Sequence, residues 1–346
     1  MIAGVQHRQT NAVWAFAYLA LTIIFHAGLL WLISRAVISS SAGLLSIFWS
    51  VIISLIVAER MALTVLFSVA RSPSIPPRLE DLPTRPRVAL LYCTCDDALE
   101  ECLNSLRSQE YENLAIFVLD DSLSEHSREL INSTGYTIVR RADRNGYKAG
   151  NLNNWLKTWG KKFDYFVIVD ADSMLPPDFV RRMLLYAEHP ANQGIAIFES
   201  RIMAWRPRTL FQRVLASGLA MANVMAIRLS NRLGITLSYG HNNLCRVSPL
   251  LAIGGFEEKY IGEDHATTLT LLAKGWGCQV VDVESFEGMP VNLEALNKRT
   301  YRWTRNDLQL LAHPWTKAPL ALQFKLLIKS LTHCFWVAIV FQMMAL

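Results

Sequence analysis

Pairs of acidic residues stand at the ends of three apolar runs in this chain. The runs are VALLYCT at 88–94, AIFVLDD at 115–121 and DYFVIVDAD at 164–172, and the acidic residues are Asp96 and Asp97, Asp120 and Asp121, and Asp170 and Asp172. Carboxylates gathered at one place repel each other unless a cation or a donor-rich ligand lies between them. Mg²⁺ and Mn²⁺ prefer oxygen ligands and bind carboxylates together with a diphosphate. The pattern therefore predicts a divalent metal site that serves a phosphate-bearing ligand.

Two other interpretations of the acidic pairs stay open. An Asp at a strand end is commonly a helix cap, and this applies to Asp96 and Asp97. The DxD pattern of residues 170–172 also matches phosphatases that form an aspartyl phosphate. Those enzymes usually carry the pattern on an early strand with an acidic pair later, and the order here is the reverse.

A lysine and a further acidic pair stand at predicted helix starts. Lys148, in GYKAGNLNNWL at 146–156, could clamp a diphosphate together with the helix N-terminus, or it could be an ordinary solvated lysine. Glu263 and Asp264 open the helix EDHATTLTLLAKGW. Either both residues interact with the helix dipole, or Asp264 is a general base that deprotonates a sugar hydroxyl. The sequence by itself does not separate these alternatives.

Polar and cationic residues with the same ambiguity follow nearer the C-terminal end. His241 lies in a polar, glycine-rich stretch and is either a ligand, an acceptor contact or a hydrogen-bonded core histidine. The stretch KRTYRWTRND at 298–307 places Arg299 and Arg302 on one helix face beside Trp303. Guanidinium groups suit a leaving diphosphate and an indole suits a sugar ring, but a membrane-interface belt uses the same residue types.

The elements that must position these residues follow from the apolar pattern. Strand-length apolar runs alternate with helical patterns between residues 88 and 172, including a helix within 96–109 and another at 148–159. Continuous apolar runs are typical of strands covered on both faces, and their alternation with helices predicts an α/β domain with a mostly parallel sheet. Ligands of such sheets bind at the carboxyl ends of the strands, where the acidic pairs stand.

The two ends of the chain predict membrane helices. Residues 13–34 carry no formal charge and are long enough to cross a bilayer, and a second apolar run begins at 43–58 and continues toward Ala70. More basic residues follow the second run than separate the two, so the positive-inside rule places the central domain in the cytoplasm. The proline-rich stretch 73–86 is a linker. The run at 331–346 is either a third membrane helix or a buried helix of the central domain.

Composition agrees with a membrane protein that handles phosphates. Apolar residues make up 52% of the chain, charged residues 18%, and the formal net charge is +5. This mild positive charge suits anionic headgroups and phosphate-bearing substrates. There is no basic stripe interleaved with aromatic residues and no zinc-finger spacing, so nucleic acid is not expected as a partner.

Taken together, the motifs resemble those of the processive family 2 glycosyltransferases, which include cellulose, chitin and hyaluronan synthases and the bacterial osmoregulated glucan synthases. The resemblance covers about residues 86–310. It rests on an ordered set of motifs: the Asp pair at 120–121, KAGN at 148–151, DAD at 170–172, GHN at 240–242, GGF at 254–256, ED at 263–264 and RxxRW at 299–303. The resemblance implies a GT-A type fold flanked by transmembrane helices.

It also implies a role for each matching residue. Donor-binding roles fall to Asp97, Asp120, Asp121, Lys148, Asp170, Arg299 and Arg302, and acceptor-binding roles to His241, Asn242, Glu263 and Trp303. Asp170 and Asp172 would bind Mg²⁺ or Mn²⁺, with Asp172 the principal ligand, and Asp264 would be the catalytic base. The reaction implied is inverting transfer of a sugar from a UDP-sugar to a glycan acceptor, giving a β-linkage. Residues 201–232 resemble the interfacial helices of these synthases.

Two departures from the family pattern qualify this expectation. The QxxRW signature appears here as RxxRW, with Arg299 in place of Gln. The GHN segment is closer to the osmoregulated glucan synthases than to cellulose synthases, which favours glucose as the sugar. The alternative is a catalytically silent nucleotide-binding subunit or scaffold of a polysaccharide-synthesis complex.

The expected organisation has four parts. Two transmembrane helices occupy 1–72, a linker 73–86, a cytoplasmic catalytic domain with interfacial helices 87–310, and an interfacial or transmembrane segment 311–346. A bacterial plasma membrane location is expected, with lipid contacts and a partner subunit where the product is translocated.

Overall fold

The computed structural model describes residues 3–37, 44–313 and 318–344, and the chain divides into two compact units. The first unit covers residues up to Ser74, the segment Arg228–Ile235, and the residues from Tyr301 onward. The second unit covers Ile75–Ile227 and Thr236–Thr300. Most of the predicted site residues therefore belong to the second unit.

The helices and strands between residues 88 and 170 alternate as the apolar pattern predicts. The helices are α1 (Ala3–Val37), α2 (Leu44–Val69), α3 (Glu100–Arg107), α4 (Glu125–Asn132), α5 (Tyr147–Trp159), α6 (Phe179–Ala187), α7 (Leu210–Met225), α8 (Asn231–Leu233), α9 (Val247–Ile253), α10 (Glu263–Ala273), α11 (Leu293–Leu310) and α12 (Leu320–Met344). The strands are β1 (Val88–Thr94), β2 (Leu114–Asp120), β3 (Thr137–Val139), β4 (Tyr165–Asp170), β5 (Ser173–Met174), β6 (Ile195–Ala204), β7 (Asn243–Arg246) and β8 (Gly277–Glu287).

All of these strands belong to one sheet of the second unit, in the order β3-β2-β1-β4-β7-β6-β8-β5. The neighbours β3, β2, β1 and β4 run parallel, and so do β6 and β8. Strand β7 is antiparallel to both β4 and β6, and β5 is antiparallel to β8. The predicted mostly parallel sheet is confirmed, with β7 as an antiparallel insertion at its centre.

The continuous apolar runs form strands because both faces of the sheet are covered. In β1, Val88, Leu90 and Tyr92 join one buried cluster, whereas Ala89 and Leu91 join a second cluster on the opposite face. Helices α3, α4 and α6 pack against the first face, and α5, α9 and α10 pack against the second. Side chains of a strand alternate between faces, so an unbroken apolar run is what a strand in this three-layer arrangement requires.

Three helices among the described residues are long and apolar enough to cross a membrane, judged by length and composition. They span Ala12–Arg35, Phe48–Val69 and Leu210–Leu233. The first two were predicted, and the connection at 38–43 between them lies outside the described residues. Many of their large apolar side chains are exposed, among them Phe16, Ile23 and Trp31.

The region 201–232 differs from the sequence expectation in one respect. Its first residues are not helical, because Arg201 lies in strand β6 and forms ion pairs of 2.7 Å with Asp282 and 2.9 Å with Glu284 on the neighbouring strand β8. The apolar helix begins only at Leu210. The C-terminal run predicted at 331–346 lies within helix α12, apart from residues 345–346, which are outside the described ranges.

Candidate functional site

The acidic pairs meet at one edge of the sheet. Strands β2, β1 and β4 are parallel neighbours, with Thr94 opposite Asp120 and Cys93 opposite Asp170. Parallel strands end at the same edge, so the residues that follow these three strands are brought together. The structure thus assembles the three pairs that the sequence places far apart.

Asp120 and Asp121 are both engaged by internal arginines. Asp120 is buried and accepts a hydrogen bond of 2.7 Å from Arg140 Nε. Asp121 forms a two-point ion pair with Arg141, with distances of 2.9 and 2.6 Å, and also accepts from Asn151 Nδ2 at 3.0 Å. These carboxylates fix the end of β2, and their role in binding a nucleotide stays a prediction. The arginines that pair with them were not anticipated from the sequence.

Asp96 and Asp97 organise the loops rather than capping helix α3, which begins at Glu100 with no side-chain cap. Asp97 accepts hydrogen bonds of 2.8 Å from the Thr94 hydroxyl and from the Cys95 backbone N–H. Asp96 has a φ of +65° and accepts from the backbone N–H groups of residues 123 and 124. Asp96 therefore ties the loop after β1 to the loop after β2, and donor binding by Asp97 stays a prediction.

Lys148 lies at the start of α5 and reaches the end of β4. Its ammonium group forms an ion pair with Asp170 and donates a hydrogen bond of 3.0 Å to the Gly240 carbonyl. Burial by itself lowers the pKa of Lys148, but the acidic groups around it, Asp170 first, together outweigh burial and the pKa is raised. The KAGN motif needs its glycine because a Cβ on Gly150 would lie 2.0 Å from the Asn145 carbonyl oxygen. Lys148 is thus a fixed cation between β4 and the segment that carries the GHN motif.

Asp170 and Asp172 offer carboxylate oxygens suited to a hard divalent ion. The pKa of Asp172 is raised, first by loss of surrounding water and then by the negative charge of Asp170. A cation between the two carboxylates would relieve that repulsion. Among the residues that the structure describes, no three or more His, Cys, Asp or Glu side chains are grouped so that they could hold a metal ion. Mg²⁺ or Mn²⁺ bound here would therefore need phosphate oxygens and waters to complete its shell, which is how Mg²⁺ is commonly held.

The pair Glu263 and Asp264 lies in the first turn of α10 and packs against the GHN segment. Burial, and then the negative charge of Asp264, raise the pKa of Glu263 to about 7, while the positive charge of Lys148 acts against this shift. Gly240 has a φ of +83°, and a Cβ added there would lie 2.8 Å from Asp264 Oδ2. Asp264 is thus held directly against the turn that also receives Lys148.

His241 and Asn242 occupy the same turn in different ways. His241 Nε2 lies 3.0 Å from Glu287 Oε2, and Nδ1 lies 3.1 Å from the Tyr239 carbonyl and 3.6 Å from Asp170 Oδ2. Burial lowers the pKa of His241, but Asp170 and Glu287 raise it to about 9. Asn242 is fully buried, and its backbone N–H donates to the Ile168 carbonyl at 2.6 Å. His241 therefore links Asp170 and Glu287 within the site, and Asn242 fixes the turn to β4.

Arg299 belongs to the second unit, and its Nη1 lies 3.6 Å from Glu287 Oε1. Arg302 and Trp303 follow on the same helix, in the residues of the first unit, and both are exposed. The acceptor role of Trp303 and the donor role of Arg302 stay predictions.

Two acidic residues of the site region were missed. Glu287 ends strand β8, which is the same signal that singled out the other acidic residues. Glu199 lies within strand β6, is fully buried and accepts from Asn243 Nδ2 at 2.9 Å. Burial raises the pKa of Glu199 to about 7, although hydrogen bonds from Ser238 and Asn243 act against this. No sequence pattern distinguishes a buried Glu on a central strand from a solvated one.

The assembled groups have two chemical capacities. The cations Lys148, His241 and Arg299 suit a diphosphate, because charge-assisted hydrogen bonds to phosphate oxygens are strong. The carboxylates of the DxD motif suit a divalent ion, and the Asp264 carboxylate beside the same turn can accept a proton. This combination fits transfer of a group away from a diphosphate.

Part of the chain matches a known protein family. A family model described as Glycosyl transferase family 2 matches residues 88–254, which include the acidic pairs, Lys148 and the GHN segment. The resemblance that the motifs predicted is confirmed.

The names of three similar proteins refer to glucan or glucomannan synthesis. Glucans biosynthesis glucosyltransferase H of Pectobacterium carotovorum is 26% identical over 66% of this chain and 30% of that protein. The protein of the same name from Xanthomonas oryzae is 27% identical over 71% of this chain and 43% of its own length. Glucomannan 4-beta-mannosyltransferase 7 of Arabidopsis thaliana is 27% identical over 57% of this chain and 38% of that protein. The chain thus spans less than half the length of these relatives.

A solved structure shares the fold. The mannosyltransferase PcManGT from Pyrobaculum calidifontis, solved with GDP-Man and Mn²⁺, superimposes with a TM-score of 0.62 at 20% identity, over 82% of this chain and 80% of that one. This confirms the GT-A type fold.

Proposed function

From the premise that the chain carries a glycosyl transferase family 2 domain over residues 88–254, we propose that it is a membrane-bound inverting glycosyltransferase. It transfers a sugar, glucose first among the candidates, from a UDP-sugar to the growing end of a β-linked glycan. The observation that carries the proposal is the placement of Lys148, Asp170 and Asp264 around the Gly240 turn at the carboxyl edge of the sheet. A base and a diphosphate clamp on one turn are what a single displacement needs.

In the proposed reaction, an acceptor hydroxyl oxygen attacks the anomeric carbon of the donor. Asp264 takes the hydroxyl proton as the new carbon–oxygen bond forms. The bond from the anomeric carbon to the diphosphate breaks, and the diphosphate leaves with the electron pair. Attack from the face opposite the leaving group inverts the anomeric carbon and gives the β-linkage.

The residues at the strand edge stabilise the charge that develops on the leaving diphosphate. Lys148 and His241 supply fixed positive groups there, and fixed charges that need no rearrangement are effective in stabilising a transition state. Asp170 and Asp172 would hold Mg²⁺ or Mn²⁺, which when bound adds positive charge beside the diphosphate. The PcManGT structure is named as a complex with GDP-Man and Mn²⁺, which supports a metal of this kind.

The donor sugar is supported only by resemblance. The relatives named glucosyltransferase H favour glucose, whereas the mannosyltransferases among the comparisons make GDP-mannose a necessary control. Membrane attachment is supported by the exposed apolar side chains of the first two helices, and the basic residues after the second helix support a cytoplasmic catalytic unit.

The test is release of nucleoside diphosphate by the full chain in lipid nanodiscs with Mn²⁺ or Mg²⁺. The donors are UDP-glucose, UDP-N-acetylglucosamine, UDP-galactose and GDP-mannose, each with and without an oligosaccharide acceptor. Asp264→Asn should lower kcat by about 10²- to 10⁴-fold, the range for loss of a general base. The matched control is Asp178→Asn, since Asp178 also stands at a helix start and pairs with Arg182 at 3.7 Å, outside the site.

The silent-subunit alternative predicts a different result. A wild-type protein that binds nucleoside diphosphate but releases none from any donor, with or without acceptor, would refute the enzyme and favour a nucleotide-binding subunit. Release that survives Asp264→Asn unchanged would instead refute the assignment of the base.

A further inference from the structure

The Glu287 carboxylate contacts two basic side chains, His241 and Arg299, that come from separate parts of the chain. One oxygen, Oε2, lies 3.0 Å from His241 Nε2 in the GHN turn. The other oxygen, Oε1, lies 3.6 Å from Nη1 of Arg299 on helix α11. The carboxylate is 14% exposed and Arg299 is 22% exposed, so water only partly screens this pair. A single side chain therefore connects the GHN turn with the first residue of the RxxRW motif.

The contacts of His241 fix the orientation of its ring. Nε2 faces the Glu287 carboxylate at 3.0 Å, and Nδ1 faces the Tyr239 carbonyl at 3.1 Å. A carboxylate oxygen only accepts hydrogen bonds, so Nε2 is the donor in the contact with Glu287. Glu287 thus holds His241 with its other ring nitrogen 3.6 Å from Asp170 Oδ2.

The backbone of Glu287 is as firmly placed as its side chain. Glu287 pairs with Ser173, the residue directly after the DxD motif, and its carbonyl accepts from the Trp205 N–H at 2.7 Å. The next N–H, of Gly288, donates to the Asp172 carbonyl at 3.2 Å. The carboxylate is therefore anchored to the same strand edge that carries the candidate metal ligands.

We propose that Glu287 is a positioning residue of the donor site, whose two carboxylate oxygens hold the side chains of His241 and Arg299 in place for the diphosphate of a bound sugar nucleotide. The proposal rests on the proposed function and deepens it. It also gives the unusual Arg299 a structural reason, because an arginine at the first position of the motif has a carboxylate partner on β8.

The test measures kcat and KM for UDP-glucose in Glu287→Gln, Arg299→Gln and the double variant, by UDP release in nanodiscs. Glu287→Gln keeps the size of the side chain but removes the negative charge that holds His241 and Arg299. Loss of a supporting partner commonly costs about 10- to 100-fold in activity, and kcat/KM should fall in that range. The kcat/KM of the double variant should be no lower than that of the less active single variant, because the two residues act as one unit.

The matched control is the ion pair between Glu284 and Arg201, which joins strand β8 to β6 at 2.9 Å. Glu284→Gln leaves kcat/KM within about twofold of the wild type, since exposed ion pairs contribute little. Equal thermal unfolding midpoints of the Glu284→Gln and Glu287→Gln proteins separate loss of positioning from loss of folding. If Glu287→Gln does not fold, Glu287→Asp takes its place in the same cycle.

The outcomes separate the two proposals. Wild-type turnover with an unchanged kcat/KM in the Glu287 variant, or effects of the two single variants that multiply in the double variant, overturns the role of Glu287 alone. No turnover of any donor by the wild type overturns the proposed function, and the role of Glu287 falls with it.

Discussion

The substitution Gly240→Ala would place a methyl group against the candidate base. The added Cβ would lie 2.8 Å from Asp264 Oδ2 and 3.1 Å from Asp264 Cβ. To reach ordinary van der Waals contact, the carboxylate must move by at least about 0.6 Å. The Gly240 carbonyl also accepts a hydrogen bond from Lys148 at 3.0 Å, so a shift of the turn would disturb both groups.

The expected magnitudes differ for stability and for activity. Gly240 has a φ of +83°, and a residue with a Cβ in this left-handed region costs about 1–2 kcal/mol of folding stability. A displacement on the order of 1 Å of a group that must lie at the attacking distance costs about 100-fold in rate. Gly240→Ala should therefore lower kcat by about 100-fold while the protein stays folded.

The control is Gly135→Ala. Gly135 has a φ of +72° and no neighbouring atom within 4 Å of its added Cβ, so it carries similar backbone strain without the contact to a carboxylate. The assay is UDP release at saturating UDP-glucose, with thermal unfolding midpoints measured on the same preparations. Gly135→Ala should lose a similar amount of stability and keep its kcat. Equal kcat values for the two variants would refute the placement of Asp264 as the base.

Three further predictions test other parts of the site. Lys148→Met should weaken UDP binding by about 10- to 100-fold, because charge-assisted hydrogen bonds to the diphosphate are lost. Lys157→Met, on the exposed face of the same helix, should leave UDP binding unchanged. Isothermal titration with UDP and Mn²⁺ measures both affinities, and equal affinities of the two variants would contradict a diphosphate clamp at Lys148. Chelation with EDTA should stop turnover, and added Mn²⁺ should restore it. The Asp172→Asn variant should need at least about tenfold more Mn²⁺ than the wild type for half-maximal turnover. Turnover that persists in EDTA would exclude the metal site. The pKa of Glu199 is raised from 4.5 to about 7, so its contribution to stability is fully present below pH 4.5 and is lost as the pH rises through 7. At pH 8 the free energy of unfolding of Glu199→Gln should therefore exceed that of the wild type by up to about 3 kcal/mol, and its unfolding temperature should be higher. The difference should shrink at pH 4.5. A difference that does not depend on pH would contradict the raised pKa of Glu199.

The sequence determined the sheet and the edge at which the candidate site lies. Unbroken apolar runs such as residues 88–94 need cover on both faces, and alternation with helices leaves a parallel arrangement as the natural solution. Since parallel strands end together, acidic residues after each strand had to meet at one edge. Lys148 and Asp264 were also singled out as candidates from the sequence, because helix starts leave a local signal.

Only the tertiary structure decided which partner each charge receives. The sequence singled out Asp120 and Asp121, but only the structure shows that each has an arginine partner after β3, 20 positions away along the chain. Glu287 lies 46 residues from His241, and no local periodicity connects them. The antiparallel strand β7 brings the GHN turn beside β4, and β8 then brings Glu287 to the same turn. Local sequence patterns report which face of an element is buried. The pairing of side chains across a sheet edge depends instead on the order and direction of strands that are far apart in sequence. That order and direction are visible only in the folded chain.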